Sequence, residues 1–413
     1  MRVTLSPMLR FLGVSLLMLL ALGCDDQAAL GRALALFSGS NGYCARVQEL
    51  DEDGGVGERE GIFCWGSGAA SPAPLTNGAG SATALALGNP ACALVPDDDD
   101  VPVVRCWGSN DRGQLGDGSS VAHDRALPVA DFVGDSGASP VQVATARFTT
   151  GGFACAVRSD GAVFCWGAGE RGQLGTGAGA DRSVPQRVVG ATDDVELLAD
   201  SVALGAAHAC ALRSDGAAFC WGAGDLGQLG SGTLVDRLRP VALDFRDPET
   251  DARIDVPLTL IVAGAAHACG LDADGGVWCW GANDAGQAGD ASLVPQVQRP
   301  RQVPLEDDEG NALVAEGLFA GARHTCANVA GGGVRCWGAN ERSQTGLAAP
   351  GPQRPSVSPS GLPPIAAGAA TFASSCALTD EGGVRCWGAG DAGQLGTGVT
   401  EDSALPQRVL GLP

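Results

Sequence analysis

Short hydrophobic segments separated by turn residues recur along the whole chain. The clearest copy runs from Ala207 to Gly232, AHACALRSDGAAFCWGAGDLGQLGSG. Two apolar stretches flank Ser-Asp-Gly, and a three-residue loop with glycine at its left-handed position joins antiparallel strands. The pattern therefore predicts a β-hairpin in which Cys210 lies directly opposite Cys220, at a separation that a disulfide bond can span.

The hairpin pattern occurs seven times. Each Cys-Trp-Gly follows another cysteine, ten residues upstream in the last five copies and twenty and fourteen residues upstream in the first two, which carry acidic insertions. This accounts for every cysteine except Cys24. We therefore expect seven local disulfides, namely Cys44–Cys64, Cys92–Cys106, Cys155–Cys165, Cys210–Cys220, Cys269–Cys279, Cys326–Cys336 and Cys376–Cys386.

Two further strands fit into each repeat. A proline-containing hydrophobic stretch such as Pro185–Val189 follows Cys-Trp-Gly, and a second stretch such as Ser201–Gly205 precedes the next cysteine. Four antiparallel strands make one propeller blade. Seven blades can close a ring with few exposed strand edges. The predicted fold is an all-β, seven-bladed β-propeller over residues 33–413, with about four strands and one disulfide per blade.

The two ends of this predicted ring must also meet. The first copy has no proline-containing stretch before it, whereas the last copy has one left over at Pro406–Leu410. We therefore expect ring closure by strand exchange, with Pro406–Leu410 pairing in the blade that carries Cys44 and Cys64.

The motif residues resemble the regulator of chromosome condensation repeat. Its pattern, GGxVxCWGxNxxGQLGxG preceded by xAxGxxHxCAL, covers about residues 33–413. Gly-Gln-Leu-Gly is complete in four copies, altered at Gly286–Gly289 and Ser343–Gly346, and missing after Trp65. The resemblance implies a seven-bladed propeller, and its family includes nucleotide-exchange factors, enzyme inhibitors and scaffolds. Such a fold does not define one function.

The N-terminus has the pattern of an export signal. Arg2 and Arg10 precede an apolar run that ends at Leu22 and is too short to span a bilayer comfortably. The next residues, ending in Cys24, resemble a bacterial lipobox in which this cysteine is lipidated. The same residues also fit the cleavage site of an ordinary signal peptidase.

This pattern predicts a mature protein anchored in the cell envelope. We expect residues 1–23 to be a removed signal peptide and residues 24–32 to be a short tether. An exported chain matures where disulfides persist, which suits the fourteen remaining cysteines. The expected protein is an exported, lipid-anchored, bacterial monomer that contacts the membrane only through its lipid.

The chain is strongly acidic, with a formal charge of −21. Such a surface repels phosphate, which weighs against nucleic acid and anionic membrane faces as partners. Because blade strands alternate in direction, the hairpin turns and the connections after the proline-containing strands should share one face. We expect a binding face there, formed by Asp51, Asp53, Asp97, Asp98, Asp99, Asp100, Asp247, Asp307 and Asp308. On the opposite face, which should carry the Gln-Leu-Gly connections, we expect the acids to be offset by Arg112, Arg171, Arg182, Arg237 and Arg301. Weak divalent-cation binding and a role in solubility alone stay open as alternatives.

Histidine and tryptophan recur at fixed positions in the repeat. His208, His267 and His324 each stand two residues before a cysteine, where they serve either as metal ligands or as structural residues bonded within their own blades. Equivalent positions on different blades are spread around the ring, which favours the structural role. The repeated tryptophans fit packing between blades, with a ligand surface as the alternative. Trp278, outside the repeat register, is the expected exposed aromatic.

No catalytic motif stands out. Nucleophile elbows and phosphate loops are absent from the sequence, and Tyr43 is the only tyrosine. We therefore expect a non-enzymatic protein-binding or scaffold module without a cofactor. The alternative is a propeller hydrolase or lyase acting on cell-envelope polysaccharide. An enzyme of that kind should have carboxyl groups with strongly perturbed pKa values converging in one pocket.

Overall fold

The described residues form seven four-stranded antiparallel sheets arranged as the blades of a propeller. The computed structural model describes residues 31–50, 56–130, 132, 137–148, 152–190, 196–289, 294–349, 351 and 353–412. Every helix or strand assigned within these ranges is a β-strand. The predicted seven-bladed fold is therefore confirmed.

Each blade uses four consecutive strands, from an inner first strand to an outer fourth strand. Blade 1 comprises β1 Gly31–Ser38, β2 Gly42–Leu50, β3 Val56–Gly66 and β4 Ala69–Pro74, and blade 2 comprises β5 Ala84–Leu87, β6 Ala91–Pro96, β7 Pro102–Gly108 and β8 His123–Pro128. Blade 3 comprises β9 Pro140–Thr145, β10 Phe153–Arg158, β11 Val163–Gly167 and β12 Arg182–Arg187, and blade 4 comprises β13 Ser201–Leu204, β14 His208–Leu212, β15 Ala218–Gly222 and β16 Arg237–Ala242. Blade 5 comprises β17 Leu258–Ala263, β18 His267–Asp272, β19 Val277–Ala282 and β20 Gln296–Val303. Blade 6 comprises β21 Ala315–Ala320, β22 His324–Val329, β23 Gly333–Gly338 and β24 Gln353–Val357. Blade 7 comprises β25 Ile365–Ala370, β26 Ser374–Thr379, β27 Val384–Gly388 and β28 Ser403–Arg408.

The second and third strands of each blade form the predicted hairpin. In blade 4 the register sets Cys210 opposite Cys220, as the turn at Ser214–Gly216 requires. All seven pairs have this arrangement, with Cα atoms 4.0–4.1 Å apart. The expectation of one disulfide per blade is confirmed, and each disulfide lies within its own blade.

Tryptophan residues join neighbouring blades. The fully buried Trp221 of blade 4 donates its indole N–H to the carbonyl oxygen of Gln173 in blade 3, at 2.9 Å. Gly175 of the same Gly-Gln-Leu-Gly segment packs under this ring, because a Cβ there would lie 2.9 Å from the indole nitrogen. Six tryptophans make this contact: Trp65, Trp166, Trp221, Trp280, Trp337 and Trp387.

Trp107 of blade 2 differs because the preceding blade lacks Gly-Gln-Leu-Gly. In blade 1, Ser67 and Gly68 alone connect β3 to β4. No glutamine carbonyl is therefore available to Trp107, whose side chain is only partly buried. Blade 1 is nevertheless a complete four-stranded blade.

The predicted strand exchange is wrong. Gln407 of β28 pairs with Cys386, so the last strand completes blade 7 itself. Blade 1 receives its fourth strand from Ala69–Pro74, the segment that directly follows its own hairpin. The ends of the ring instead meet side by side, since Ala33 donates its backbone N–H to Gly382 (2.9 Å) and Trp65 donates to the carbonyl of Gln394 (3.0 Å).

Prolines in the outer strands protect the sheet edges from further strand pairing. Every fourth strand carries proline, which cannot donate a ladder hydrogen bond and so discourages further strand pairing. These prolines include Pro74, Pro128, Pro185, Pro240, Pro300, Pro355 and Pro406. Within the described ranges, no helix has the length and apolarity needed to cross a bilayer.

Candidate functional site

The strand order gives the propeller two different faces. One face, which we call the hairpin face, carries the turns between the second and third strands together with the connections from one blade to the next. Hydrogen bonds join these two sets of loops, as between Ala199 N–H and the Gly161 carbonyl (2.9 Å) and between Leu258 N–H and the Gly216 carbonyl (3.0 Å). The opposite face, which we call the Gln-Leu-Gly face, carries the connections between the third and fourth strands.

The described residues of the predicted acidic binding face all lie on the hairpin face. Asp97–Asp100 form the turn between β6 and β7, Asp247 lies between β16 and β17, and Asp307 and Asp308 lie between β20 and β21. Glu196, in the connection before β13, joins them. Asp51 and Asp53 lie outside the described residues, so their predicted place on this face stays a prediction.

The first aspartate of each acidic loop shapes its turn. Asp97 Oδ1 accepts the backbone N–H groups of Asp99 (3.0 Å) and Val101 (2.9 Å). Asp247 accepts hydrogen bonds from the Thr250 hydroxyl and backbone, which lower the pKa of its carboxyl. Asp307 is held in the same way by the Asn311 side chain and backbone, and its pKa is also lowered. The lowered pKa values favour the ionised form of Asp247 and Asp307, and the hydrogen bonds fix all three carboxylates in position.

The remaining acids of these loops face solvent. Asp98, Asp99, Asp100 and Asp308 are exposed. Among the described residues no arginine or histidine lies within ion-pair distance of their carboxylates. Because neighbouring like charges within one loop add their fields over a Debye length of about 8 Å, each of these loops carries a negative potential.

Carboxylates on the Gln-Leu-Gly face are largely paired with arginine. Arg112 of blade 2 bridges to Asp181 and Glu170 of blade 3. Arg171 repeats the bridge one blade further on, with Asp236 (2.6 Å) and Asp225 (3.1 Å). The hydrogen bonds from these arginines lower the pKa values of Asp181 and Asp236.

The sequence interpretation of this face was correct in part. Arg112 and Arg171 offset acids there as predicted, while Arg182 and Arg237 begin outer strands at its edge. Arg301 instead lies opposite Cys279 in the body of blade 5, so its assignment to this face was wrong. An equivalent bridge that was not predicted joins Arg342 of blade 6 to Asp402 and Asp391 of blade 7. The repeat position that Arg112, Arg171 and Arg342 share, directly before Gly-Gln or Ser-Gln, was the available signal.

The three repeated histidines are buried between blades. His267 Nε2 lies 2.9 Å from the Thr325 hydroxyl, and His324 Nε2 lies 2.9 Å from the Ser375 hydroxyl. Each partner belongs to the next blade, so the expected bonding within one blade was wrong although the structural role fits. In the blade that follows His208, the position equivalent to Thr325 and Ser375 is Ala268, which has no hydroxyl. Both ring nitrogens of His208 are buried without a hydrogen-bond partner.

Burial keeps these histidines neutral. Loss of hydration lowers the pKa of His208 to about 4, and it lowers the pKa values of His267 and His324 to about 3. Within the described residues, no three side chains of the types His, Cys, Asp and Glu converge on a metal position. The alternative role of the histidines as metal ligands therefore has no support, and the acidic loops contain no assembled cation site in the parts described.

Trp278 is not the exposed aromatic that the sequence predicts. Its side chain is buried, it packs edge-on against Phe245 with ring centroids 5.4 Å apart, and its indole N–H donates to Asp272 at 2.9 Å. Phe245 comes from the connection between blades 4 and 5, a segment that repeat alignment does not predict. Among the large hydrophobic side chains of the described residues, the exposed aromatic is instead Phe372, which is 53% exposed.

The carboxyl groups give no support for the hydrolase alternative. Wherever a described Asp or Glu has a clearly perturbed pKa, the pKa is lowered rather than raised. For Asp160 the main cause is its hydrogen bond to Arg158, and for Asp402 it is the bond to Arg342. A general acid needs the opposite shift, because it must keep its proton near neutral pH.

Comparisons with known proteins agree with this architecture. A family model described as RCC1-like domain matches residues 55–412. The ultraviolet-B receptor UVR8 of Arabidopsis thaliana is 31% identical over 263 residues, which are 64% of this chain and 54% of the receptor. The human E3 ubiquitin-protein ligase HERC2 is 27% identical over 242 residues, 58% of this chain but only 5% of the ligase. The chain thus matches about half of one relative and a small part of the other.

Solved structures share the fold at low sequence identity. Yeast RCC1 (Prp20), crystallised with Kap60 bound, superposes with a TM-score of 0.70 at 22% identity, covering 84% of this chain and 83% of that chain. Human WBSCR16 superposes with a TM-score of 0.68 at 21% identity, covering 83% and 84% respectively. At these identities the likeness shows the propeller fold alone.

Proposed function

The chain belongs to the RCC1-like domain family, and from that membership we propose that it is a non-enzymatic protein-binding module whose hairpin face recognises a basic partner. The observation that carries the proposal is the contrast between the two faces. On the hairpin face, Asp98, Asp99, Asp100 and Asp308 are exposed without a cationic partner, although Asp160, Glu196 and Asp215 of the same face pair with nearby arginines. On the Gln-Leu-Gly face, arginine bridges from one blade to the next neutralise carboxylates.

The acidic loops are also suited to rigid presentation of charge. Asp97, Asp247 and Asp307 fix their turns through hydrogen bonds to the backbone, so the neighbouring carboxylates are held outward at defined places. A preorganised charged surface loses little conformational entropy on binding. It accelerates the encounter with an oppositely charged protein more than it raises the final affinity.

Site-specific photo-cross-linking tests which face meets the partner. A photoreactive residue replaces Asp98 on the hairpin face in one variant and Val121 on the Gln-Leu-Gly face in a matched variant; both positions are exposed. In the native host, the position 98 variant should cross-link a discrete protein, and raised salt should weaken the capture. Cross-linking of a discrete protein from position 121 alone would contradict the proposal.

We further propose that the mature protein is exported and held in a bacterial cell envelope by a lipid on Cys24, which lies outside the described residues. The proposal is supported by the positively charged start and the apolar run before Cys24. It is also supported by the seven disulfides, which suit an oxidising compartment. Detergent-phase partitioning of the wild type and of Cys24→Ser tests whether Cys24 carries a lipid. The wild type should enter the detergent phase, whereas the variant should not. Partitioning of the variant like the wild type would show that Cys24 carries no anchor.

A further inference from the structure

The inner strands of the seven blades surround a central channel whose mouth opens on the Gln-Leu-Gly face. A cavity of about 300 Å³ lies there, lined by the ends of the inner strands and by Arg147. Arg147 follows β9 of blade 3 by two residues, in the turn that leads to β10. The corresponding residues of blades 4, 5 and 6 are alanines, so the arginine is a departure from the repeat.

The guanidinium of Arg147 reaches across the channel to blades that are not its neighbours. Nη1 donates to the Ser38 hydroxyl (2.6 Å) of blade 1 and to the Ala370 carbonyl (3.0 Å) of blade 7. Nη2 donates to the carbonyls of Ala320 (3.1 Å) in blade 6 and Ala263 (3.3 Å) in blade 5. All four acceptors belong to the last residue of an inner strand.

We propose that the ring of inner-strand ends is a guanidinium-binding site, that the chain's own Arg147 occupies it, and that this occupancy locks the propeller closed across its channel. Four acceptor oxygens, one from each of four blades, match the four N–H donors on the two Nη atoms of the planar guanidinium. Lysine cannot reproduce that match, because its ammonium has three donors and no planar fork.

Electrostatics at the site agree with this function. Among the described residues no carboxylate pairs with Arg147, so oxygens of the main chain and of Ser38 solvate its charge. Desolvation lowers the pKa of Arg147 to about 10, which still leaves the guanidinium charged at neutral pH. The ring of Phe148 covers it, with the guanidinium carbon 5.0 Å from the ring centroid, and Phe372 of blade 7 packs edge-on against Phe148.

The site also lies where ring closure needs support. Main-chain hydrogen bonds link the first turns of neighbouring blades around the mouth, from Ala206 to Ala265 (2.9 Å), from Ala265 to Ala322 (3.0 Å) and from Phe372 to Ser40 (2.9 Å). The Ser40 hydroxyl in turn donates to the Arg147 carbonyl. Since no strand is exchanged between blades 1 and 7, Arg147 provides the link that joins both of these blades to the far side of the ring.

Chemical rescue tests the proposal. Arg147→Ala should lower the melting temperature by roughly 2–4 °C or more. Millimolar guanidinium chloride should raise the melting temperature of this variant relative to an equal concentration of sodium chloride, while leaving the wild type unchanged. The matched control is Arg323→Ala, which removes an arginine from the same face that pairs with Asp284 at 2.6 Å. Its melting temperature should not respond to guanidinium.

Three results would overturn the proposal. One is an Arg147→Ala variant that melts like the wild type, and another is a guanidinium response equal to that of Arg323→Ala. If Arg147→Ala does not fold, Arg147→Lys replaces it in the test, because lysine keeps the charge but not the planar donors, and this variant should melt below the wild type. The third overturning result is a melting temperature of Arg147→Lys equal to that of the wild type. The test needs no partner and no lipid, so its outcome is independent of the function proposed above.

Discussion

The three histidines buried between blades 4, 5, 6 and 7 show how one residue position affects local stability. His267 and His324 each meet a hydroxyl from the next blade, and Ser374 of blade 7 meets the Tyr43 hydroxyl of blade 1 at 3.1 Å. His208 lacks such a partner because Ala268 stands in the corresponding position. A single alanine therefore leaves a fully buried imidazole without a hydrogen bond.

We predict that Ala268→Ser stabilises the protein. A hydroxyl at this position can bond to His208 Nε2, and one such bond is worth about 0.5–1.5 kcal/mol of unfolding free energy. The matched control is Ala209→Ser, because the facing position of blade 3 holds the apolar Phe153, so the new hydroxyl meets no imidazole and is buried against an apolar ring. Chemical denaturation should show a gain for the first variant and a loss for the second. A loss from Ala268→Ser equal to that of the control would contradict this account.

Acid should destabilise the propeller through the same histidines. Their folded pKa values of about 3 to 4 lie below the ordinary 6.5, so protons bind the unfolded chain first and stability is lost as pH falls below 6.5. Between pH 7 and pH 5 each histidine should cost about 1–2 kcal/mol of unfolding free energy.

Denaturant unfolding at both pH values measures this cost. His267→Gln keeps a hydrogen-bonding side chain but does not titrate, so its loss between pH 7 and pH 5 should be smaller than that of the wild type. His123→Gln, at a partly exposed ring on the Gln-Leu-Gly face, is the control. An unfolding free energy that stays constant from pH 7 to pH 5 would refute the role of the buried histidines.

At the scale of the element, the Gly-Gln-Leu-Gly connection and the tryptophan of the next blade work as a pair. The altered copy Ser343–Gly346 still supplies the Gln344 carbonyl to Trp387 at 3.0 Å, with Ser343 in the left-handed region at φ 61°. The connection in blade 1 is too short to supply any such carbonyl. The motif therefore determines which blade interfaces contain the indole hydrogen bond.

We predict that Trp221→Phe destabilises the protein more than Trp107→Phe. The first substitution leaves the Gln173 carbonyl buried without its donor, which costs about 1–3 kcal/mol of unfolding free energy. Trp107 is partly exposed and has no glutamine carbonyl to lose, so its substitution should cost less than about 1 kcal/mol. Equal losses in urea-induced unfolding would show that ring size alone matters.

Repetition explains which features the sequence predicts. Cys210 and Cys220 are paired by a local turn, and each of the seven blades repeats this pairing across its own hairpin, although the hairpins of blades 1 and 2 are longer. Contacts outside the repeat could not be derived in this way. Phe245 covers Trp278 from an irregular connection, and Arg147 spans the channel to distant blades. Both contacts depend on three-dimensional placement that one-dimensional alignment does not contain.

For the whole molecule, ring closure was the least predictable feature. A leftover segment at the C-terminus suggested strand exchange, yet each proline-containing strand pairs with the hairpin that precedes it. Pairing with an adjacent hairpin requires a shorter loop closure than pairing across the ring, so local completion carries the smaller entropy cost. The positions of Asp97–Asp100, Asp247, Asp307 and Asp308 were easier to predict, because alternating strand directions place the hairpin turns and the connections between blades on one face whichever strand closes the ring.

The central claim is that the hairpin face steers a basic partner to the propeller. Its most direct test is the association rate constant with the protein captured from position 98, measured by stopped flow at low and at physiological ionic strength. The comparison uses the wild type, Asp98–Asp100→Asn, and a control in which Asp225, Asp391 and Glu401 of the Gln-Leu-Gly face are replaced by their amides. The account predicts a rate that falls steeply with salt for the wild type and the control, and a slower, less salt-dependent rate for Asp98–Asp100→Asn. A rate unaffected by both salt and these three substitutions would contradict it.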